Sequence, residues 1–287
     1  MTAEYQIRRR DFTNPADLKR LVSLQNAVYQ GSHVFTEETF QFWYLDNPNG
    51  PVVSFNAFSG EEMVAHYALI PVKMSVAGRI TSGLLSMATV THPLHRGNGL
   101  FTMLARQSYE YAADQGYEFV VGVANANSYP GFIKHFDFQD VGQLEVLLGF
   151  SDKIRPELDK VFKVSWDSAS LAWRLGRKGR YSKKGAVAYG TKSVWKFKKA
   201  PLIHTFMGCL DPEVLNGLSL PEANTVIRPL NLYVGLGSNA RKLGYRPVPK
   251  FIKHSPFHLI FLDLTAGQLP AMTRNNVFFQ LMDFDVA

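Results

Sequence analysis

Residues 89–104, Thr-Val-Thr-His-Pro-Leu-His-Arg-Gly-Asn-Gly-Leu-Phe-Thr-Met-Leu, constrain the fold more than any other stretch of this 287-residue chain. A β-branched, apolar run from Leu84 to Thr91 stops at Pro93. The loop Arg96-Gly97-Asn98-Gly99 follows, and then a helical pattern places Leu100, Phe101, Leu104, Ala105 and Ser108 on one side. Strand, glycine turn and helix N-terminus together aim unpaired backbone N–H groups at an anion. Gly97 and Gly99 let the backbone approach a ligand without Cβ interference, and Arg96 adds a multidentate cation. The loop is not the dinucleotide fingerprint, because Thr102 stands where a third glycine is required. It is not a P-loop either, since no Gly-Lys-Ser/Thr closes it.

The flanking sequence alternates strands and helices. Tyr5 to Arg9 reads as an opening strand, and Pro15 to Gln30 as a helix capped by Asn14. Thr36 starts a second helix that the Asp46-Asn47-Pro48-Asn49-Gly50 turn stops. Val52–Phe58, Met63–Met74 and Arg79–Thr91 read as three strands. After the glycine loop a helix runs to Gly116, Phe119 to Ala124 is a buried strand, a short helix ends at His135, and Phe138 to Leu148 is a closing strand. The order is βααβββαβαβ.

Arg96, Gly99 and Phe101 occupy the defined positions of an Arg/Gln-x-x-Gly-x-Gly/Ala motif, with Phe101 in place of a small residue. With the element order over residues 4–150, this half resembles the acyl-CoA-binding fold of the GCN5-related N-acetyltransferase (GNAT) superfamily. The resemblance implies an α/β (α+β) fold with a central mixed sheet. It further implies that residues 1–150 would form the acyl-CoA-binding domain and residues 151–287 a smaller C-terminal domain contributing to the acceptor site. Leu171-Ala-Trp173-Arg-Leu175 resembles Phe42-Trp43-Tyr-Leu45, and Leu232-Tyr-Val-Gly-Leu236 resembles Val120-Val-Gly-Val123. A degenerate second copy of the fold is therefore expected, without a second Arg-x-x-Gly-x-Gly, and proteolysis near residues 151–165 should yield two stable fragments.

The resemblance also assigns residues. Thr89, Val90 and Thr91 would pair with the pantetheine arm. Arg96, Gly97, Asn98, Gly99, Leu100 and Phe101 would hold the pyrophosphate, and Asn127 would touch the cofactor from the opposite side or cap the short helix. The family's fourth-strand glutamate has no counterpart, since Met63 to Tyr109 contains no Asp or Glu. The base is then a histidine, a water chain or a carboxylate from the second domain. His66, the imidazole inside an apolar strand, is the candidate unless it is a hydrogen-bonded core or surface histidine; His92 and His95 are read as groups shaping the loop. Ile133 falls where the family carries its tyrosine acid, leaving Tyr129 and His135 as substitutes. A CoA thiolate can also leave without strict acid assistance.

Composition places the charge. The chain has 31 Lys/Arg and 24 Asp/Glu, but residues 151–200 alone hold 14 and 4. Arg174, Arg177, Arg180 and Tyr181 in this segment are candidates to receive a diphosphate and a base or sugar. Short motifs around Trp43, His66 and Thr89 resemble bacterial sugar N-acyltransferases of surface-polysaccharide pathways. The expected acceptor is thus the amino group of a nucleotide-linked amino sugar, with acyl-CoA as co-substrate and no metal. An aminoglycoside or protein-lysine acetyltransferase should prefer an acidic acceptor surface. A tRNA-dependent aminoacyl transferase would not require an intact CoA loop, so nucleic acid is not the expected partner. A non-catalytic acyl-CoA sensor would fit the missing acid and base. The single Cys209 and the polar start from Met1 to Asp11 fit a cytoplasmic protein with no membrane partner.

Overall fold

The computed structural model describes residues 4–29, 34–151, 153–157, 160–175, 187–190, 193–197, 203–209, 230–249 and 256–284. The first half runs β1 (Gln6–Arg9), α1 (Pro15–Tyr29), α2 (Glu37–Tyr44), β2 (Val53–Ser59), β3 (Glu62–Val76), β4 (Arg79–Thr91), α3 (Leu100–Asp114), β5 (Phe119–Asn125), α4 (Tyr129–His135), β6 (Gln139–Gln143) and β7 (Glu145–Gly149). The second runs β8 (Phe162–Val164), α5 (Ser168–Leu175), β9 (Val187–Gly190), β10 (Ser193–Phe197), β11 (Ile203–Cys209), β12 (Leu230–Leu236), β13 (Arg246–Pro247), β14 (Phe257–Asp263), β15 (Val277–Gln280) and α6 (Leu281–Phe284). None of the described helices is long and apolar enough to cross a membrane.

Local chemistry sets the helix starts as expected. Asn14 Oδ1 accepts the Ala16 N–H at 3.0 Å, and Thr36 Oγ1 accepts that of Thr39 at 3.3 Å. β3 is buried without alternation from Met63 to Pro71 because helices cover both of its faces. Leu18, Leu21, Leu24, Phe40 and Trp43 from α1 and α2 pack on one side. Leu100, Leu104, Ala105 and Tyr109 from α3 pack on the other.

The strand order departs from a simple division at residue 150. In the first half β2–β3–β4 is antiparallel, β4 and β5 are parallel, and the sheet then continues into β14 and β6. In the second half β9–β10–β11 is antiparallel, β11 and β12 are parallel, and the sheet continues into β7 and β13. The two pairing patterns are identical, but each half is completed by a strand from the other. The stretch Phe138–Leu148, expected as one closing strand, is therefore two. β6 stays beside β14 through Gln143, with a bulge next to Gly142 (φ +133°), and past Leu144 β7 departs to the second sheet.

This exchange is deeply buried. Leu259, Ile260 and Phe261 of β14 are at most 1% exposed. Burial of such side chains is worth about 1.5–3 kcal/mol each, so these three alone contribute on the order of the whole net stability of a domain. A continuous path β3–β8–β15–β12 joins the two halves into one sheet. The halves also meet at α2 and α5: the Trp173 ring stacks on Phe42 with centroids 5.0 Å apart, and its indole N–H donates to the Phe42 carbonyl at 3.0 Å.

Candidate active site

β4 and β5 are bonded side by side only from Gly83 to Ser86 and Phe119 to Gly122. Beyond that, β4 continues with β3 to Thr91 while β5 continues with β14 to Asn125, and a V opens between them. Ser86, Met87, Ala88 and Thr89 on its wall are half-buried. The pairing of β4 with β3 slips here, from Met87 opposite Ala68 to Val90 opposite His66, so Ala88 and Thr89 together face Tyr67. Ala88 carries φ +52°, a left-handed conformation uncommon for a residue with a Cβ. This is a β-bulge at the point where the sheet opens.

The loop after β4 has the expected form. Gly97 and Gly99 adopt φ +80° and +71°, and Gly99 caps α3 with no side chain over the first turn. The N–H groups of Leu100, Phe101 and Thr102 are thus the orphan donors of a 15-residue helix. Arg96 is exposed, and its Nε donates to the Thr91 carbonyl at 3.3 Å, tying the loop to the end of β4. Asn98 braces the loop from within through the His95 carbonyl at 3.1 Å. His95 pairs with the Tyr5 hydroxyl at 3.0 Å, and His92 Nδ1 accepts the Leu94 N–H, so both imidazoles shape the loop. The side chains of Leu100 and Val90 are core, leaving only their backbone to a ligand. Phe101 packs against Tyr67, Phe132 and Phe136. Its ring joins α3 to α4, which is how a bulky residue fits a position where a small one was expected.

Across the V, Asn125 Oδ1 accepts the N–H groups of Asn127 and Ser128 at 2.9 and 3.1 Å. These bonds close a turn ahead of α4, whose N-cap position is Ser128 with no side-chain capping bond, and Asn127 is exposed. The Tyr129 hydroxyl donates to Asp140 at 2.8 Å, which raises the phenol above its ordinary pKa. His258 stacks beside Tyr129 at 4.3 Å and shares Asp140 at 3.3 Å. His258 arrives on β14, so nothing in the neighbouring sequence announces it. His135 ends α4, exposed.

His66 does not stand in the V. It is 1% exposed, on the face packed by α1 and α2, with Phe12 edge-on to its ring. The Asn56 amide oxygen, 2.6 Å away, can only accept, so Nδ1 carries the proton and Nε2 accepts from the Tyr44 hydroxyl at 2.8 Å. Burial pushes its pKa down to about 3. Both nitrogens are committed inside the core, which corrects the expectation of a general base here. The sequence pattern showed a histidine in an apolar strand and could not show its partners.

The expected acceptor residues divide likewise. Arg177, Arg180 and Tyr181 lie outside the described residues. Arg174 is 2% exposed, its guanidinium 4.7 Å from the Trp43 ring and 5.9 Å from that of Trp166. It is built into the joint between the halves rather than presented to a diphosphate. Trp166 is held there too, donating to Asp283 at 2.9 Å.

The second half has the matching opening between β11 and β12, paired only at residues 203–205 and 230–232. Here the chain's own C-terminal segment fills it. Gln280 accepts from the Cys209 N–H at 2.8 Å and donates to its carbonyl at 3.3 Å. A Cβ at Gly208 would meet Met282 Sδ at 2.2 Å, and one at Gly235 the Phe279 carbonyl at 2.3 Å. Both walls are glycine where β15 and α6 lie on them. Among the described residues, no cluster of three His, Cys, Asp or Glu side chains could hold a metal ion.

Residues 10–140 match the family model of the acetyltransferase (GNAT) domain. Among solved structures the chain is similar to a GCN5-related N-acetyltransferase from Kribbella flavida, at 12% identity and TM-score 0.60, over 91% of this chain and 72% of that one. It is similar to a conserved Enterococcus faecalis V583 protein for which N-acyltransferase activity has been suggested, at 10% identity and TM-score 0.59, over 91% and 73%. A Pyrococcus horikoshii protein proposed to be an acetyltransferase aligns over 100% of this chain and 96% of its own, at 12% identity and TM-score 0.56. At such identities these likenesses establish the fold. No protein of curated function matches the sequence significantly.

Proposed function

We propose that this chain, which carries an acetyltransferase (GNAT) domain over residues 10–140, is an acyl-CoA-dependent N-acyltransferase acting on the amino group of a nucleotide-linked amino sugar. One observation supports the donor half of this reading above the others. Of two matching openings, the first combines a bulged strand with a glycine-capped helix, and the second is filled by the protein itself. The pantetheine arm lies along Thr89, Val90 and Thr91, and the pyrophosphate meets Arg96 and the backbone N–H groups from Gly97 to Phe101. Asn127 closes the far side.

The neutral amine attacks the thioester carbonyl carbon, forming the C–N bond. As the C–S bond breaks, the amine nitrogen gives up its proton and the thiolate takes one. Backbone donors at the bulge stabilise the oxyanion. Tyr129 supplies the proton to the thiolate, and Asp140 and His258 connect its hydroxyl to solvent. His135 at the end of α4 is the alternative donor. With His66 sealed, the amine proton leaves through water or a carboxylate. The basic segment 151–200, including Arg177, Arg180 and Tyr181, supports a diphosphate-bearing acceptor.

Incubation with acetyl-CoA and a panel of amino-sugar nucleotides, followed by mass spectrometry, tests this. Thiol release only with sugar nucleotides is the expected result. Acylation of aminoglycosides or peptide lysines instead would move the acceptor class. CoA binding without turnover on any amine would favour a sensor, a reading that the buried His66 supports.

A further inference from the structure

Gln25 lies on α1, 1% exposed, with no role in the chemistry described so far. Its Nε2 donates to the carbonyl of Ala88 at 3.2 Å, across 63 residues of sequence. Ala88 is the bulge residue held at φ +52°. A non-glycine residue stays in that region only where its surroundings over-determine it. We infer that Gln25 is a positioning residue that sets the β4 bulge and thereby aims a backbone donor at the acyl group. This rests on the donor-site reading given above.

The Ala88 carbonyl and the Thr89 N–H belong to one planar trans peptide and point in opposite directions. Drawing the carbonyl toward α1 turns the Thr89 N–H away from α1. This happens just past Ser86, the last residue at which β5 lies alongside. The bulge takes Ala88 and Thr89 out of one-to-one pairing with β3. The anchored peptide thus holds the Thr89 N–H off the α1 face and outside one-to-one pairing with β3, and this is the donor that a thioester oxygen lying along the strand would accept. A buried amide is suited to the task, since it carries no charge that the core must solvate. A carboxylate there would repel the carbonyl.

The test uses the full chain with two probes, CoA and acetyl-CoA labelled with 13C at the carbonyl. Calorimetry gives their affinities, and infrared spectroscopy gives the bound carbonyl stretch. In the wild type the stretch should fall below that of free acetyl-CoA, as a hydrogen bond to the oxygen requires. Gln25→Met keeps the volume and removes the donor. It should hold CoA within about threefold of the wild type while losing roughly half or more of the carbonyl shift, as expected when an oxyanion-type donor is misplaced. A merely structural role would weaken both probes alike and leave the shift in the bound fraction intact. That result, or an unchanged shift, overturns the role of Gln25 and leaves the donor site standing. Wild-type protein that binds neither probe overturns the donor site and this inference together. Should Gln25→Met fail to fold, Gln25→Leu, likewise uncharged and without a donor, provides the same comparison.

Discussion

A side chain at position 99 would sit at φ +71° and shade the N–H groups that open α3. A β-branched residue tolerates that conformation poorly, at a cost of roughly 1–2 kcal/mol. Gly99→Val should raise the Kd for acyl-CoA by at least about tenfold in calorimetry, and unchanged affinity would remove the loop from the donor site. His66 gives a second prediction at this scale. Burial holds its folded pKa at about 3, below the ordinary value of 6.5. The unfolded chain therefore takes up a proton that the folded one refuses. The contribution is fully present above pH 6.5 and is lost progressively as pH falls toward 3, by several kcal/mol. Melting followed over that range should show the loss, and a His66→Gln variant should show a flatter profile; identical slopes would contradict the assignment. The loop was legible because its residues are consecutive and each obeys a backbone rule. The choice between base and core histidine at His66 was not legible, because the Asn56 and Tyr44 partners that decide its state arrive from β2 and α2.

β14 and β7 carry the most consequential pairing in the molecule. Alternation along a strand reports which faces are buried, not which neighbour buries them. The individual runs were accordingly legible almost to the residue, whereas the exchange was not. Phe138–Leu148 looked continuous because no proline or turn cluster marks the break at Leu144 between the polar Gln139–Gln143 and the more apolar Glu145–Gly149. Cleavage of the connecting segment near residues 151–165 was expected to release two stable fragments. With Leu259, Ile260 and Phe261 of the second fragment buried in the sheet of the first, the cut protein should instead elute as one species in gel filtration, with near-native circular dichroism. Two separately folded fragments would contradict the exchange.

For the whole molecule, the filled second opening predicts stoichiometry. One acyl-CoA should bind per chain in calorimetry, although the fold contains the opening twice; a ratio of two would mean that β15 and α6 can be displaced. The resemblance between halves, legible only as short echoes such as Trp43 and Trp173, proves to be a resemblance of pairing rules. The motif side of the acceptor was less accessible, since Arg174 reads as a surface cation until Trp43 and Trp166 are seen around it. The exchange also orders events in time. During synthesis, β5 emerges long before its outer neighbour, because the strands β6 to β13 come between Phe119–Asn125 and Phe257–Asp263. Until then the edge of β5 is bare, an invitation to wrong partners. The half that carries the glycine loop can finish folding only after a strand from far along the second half has been made.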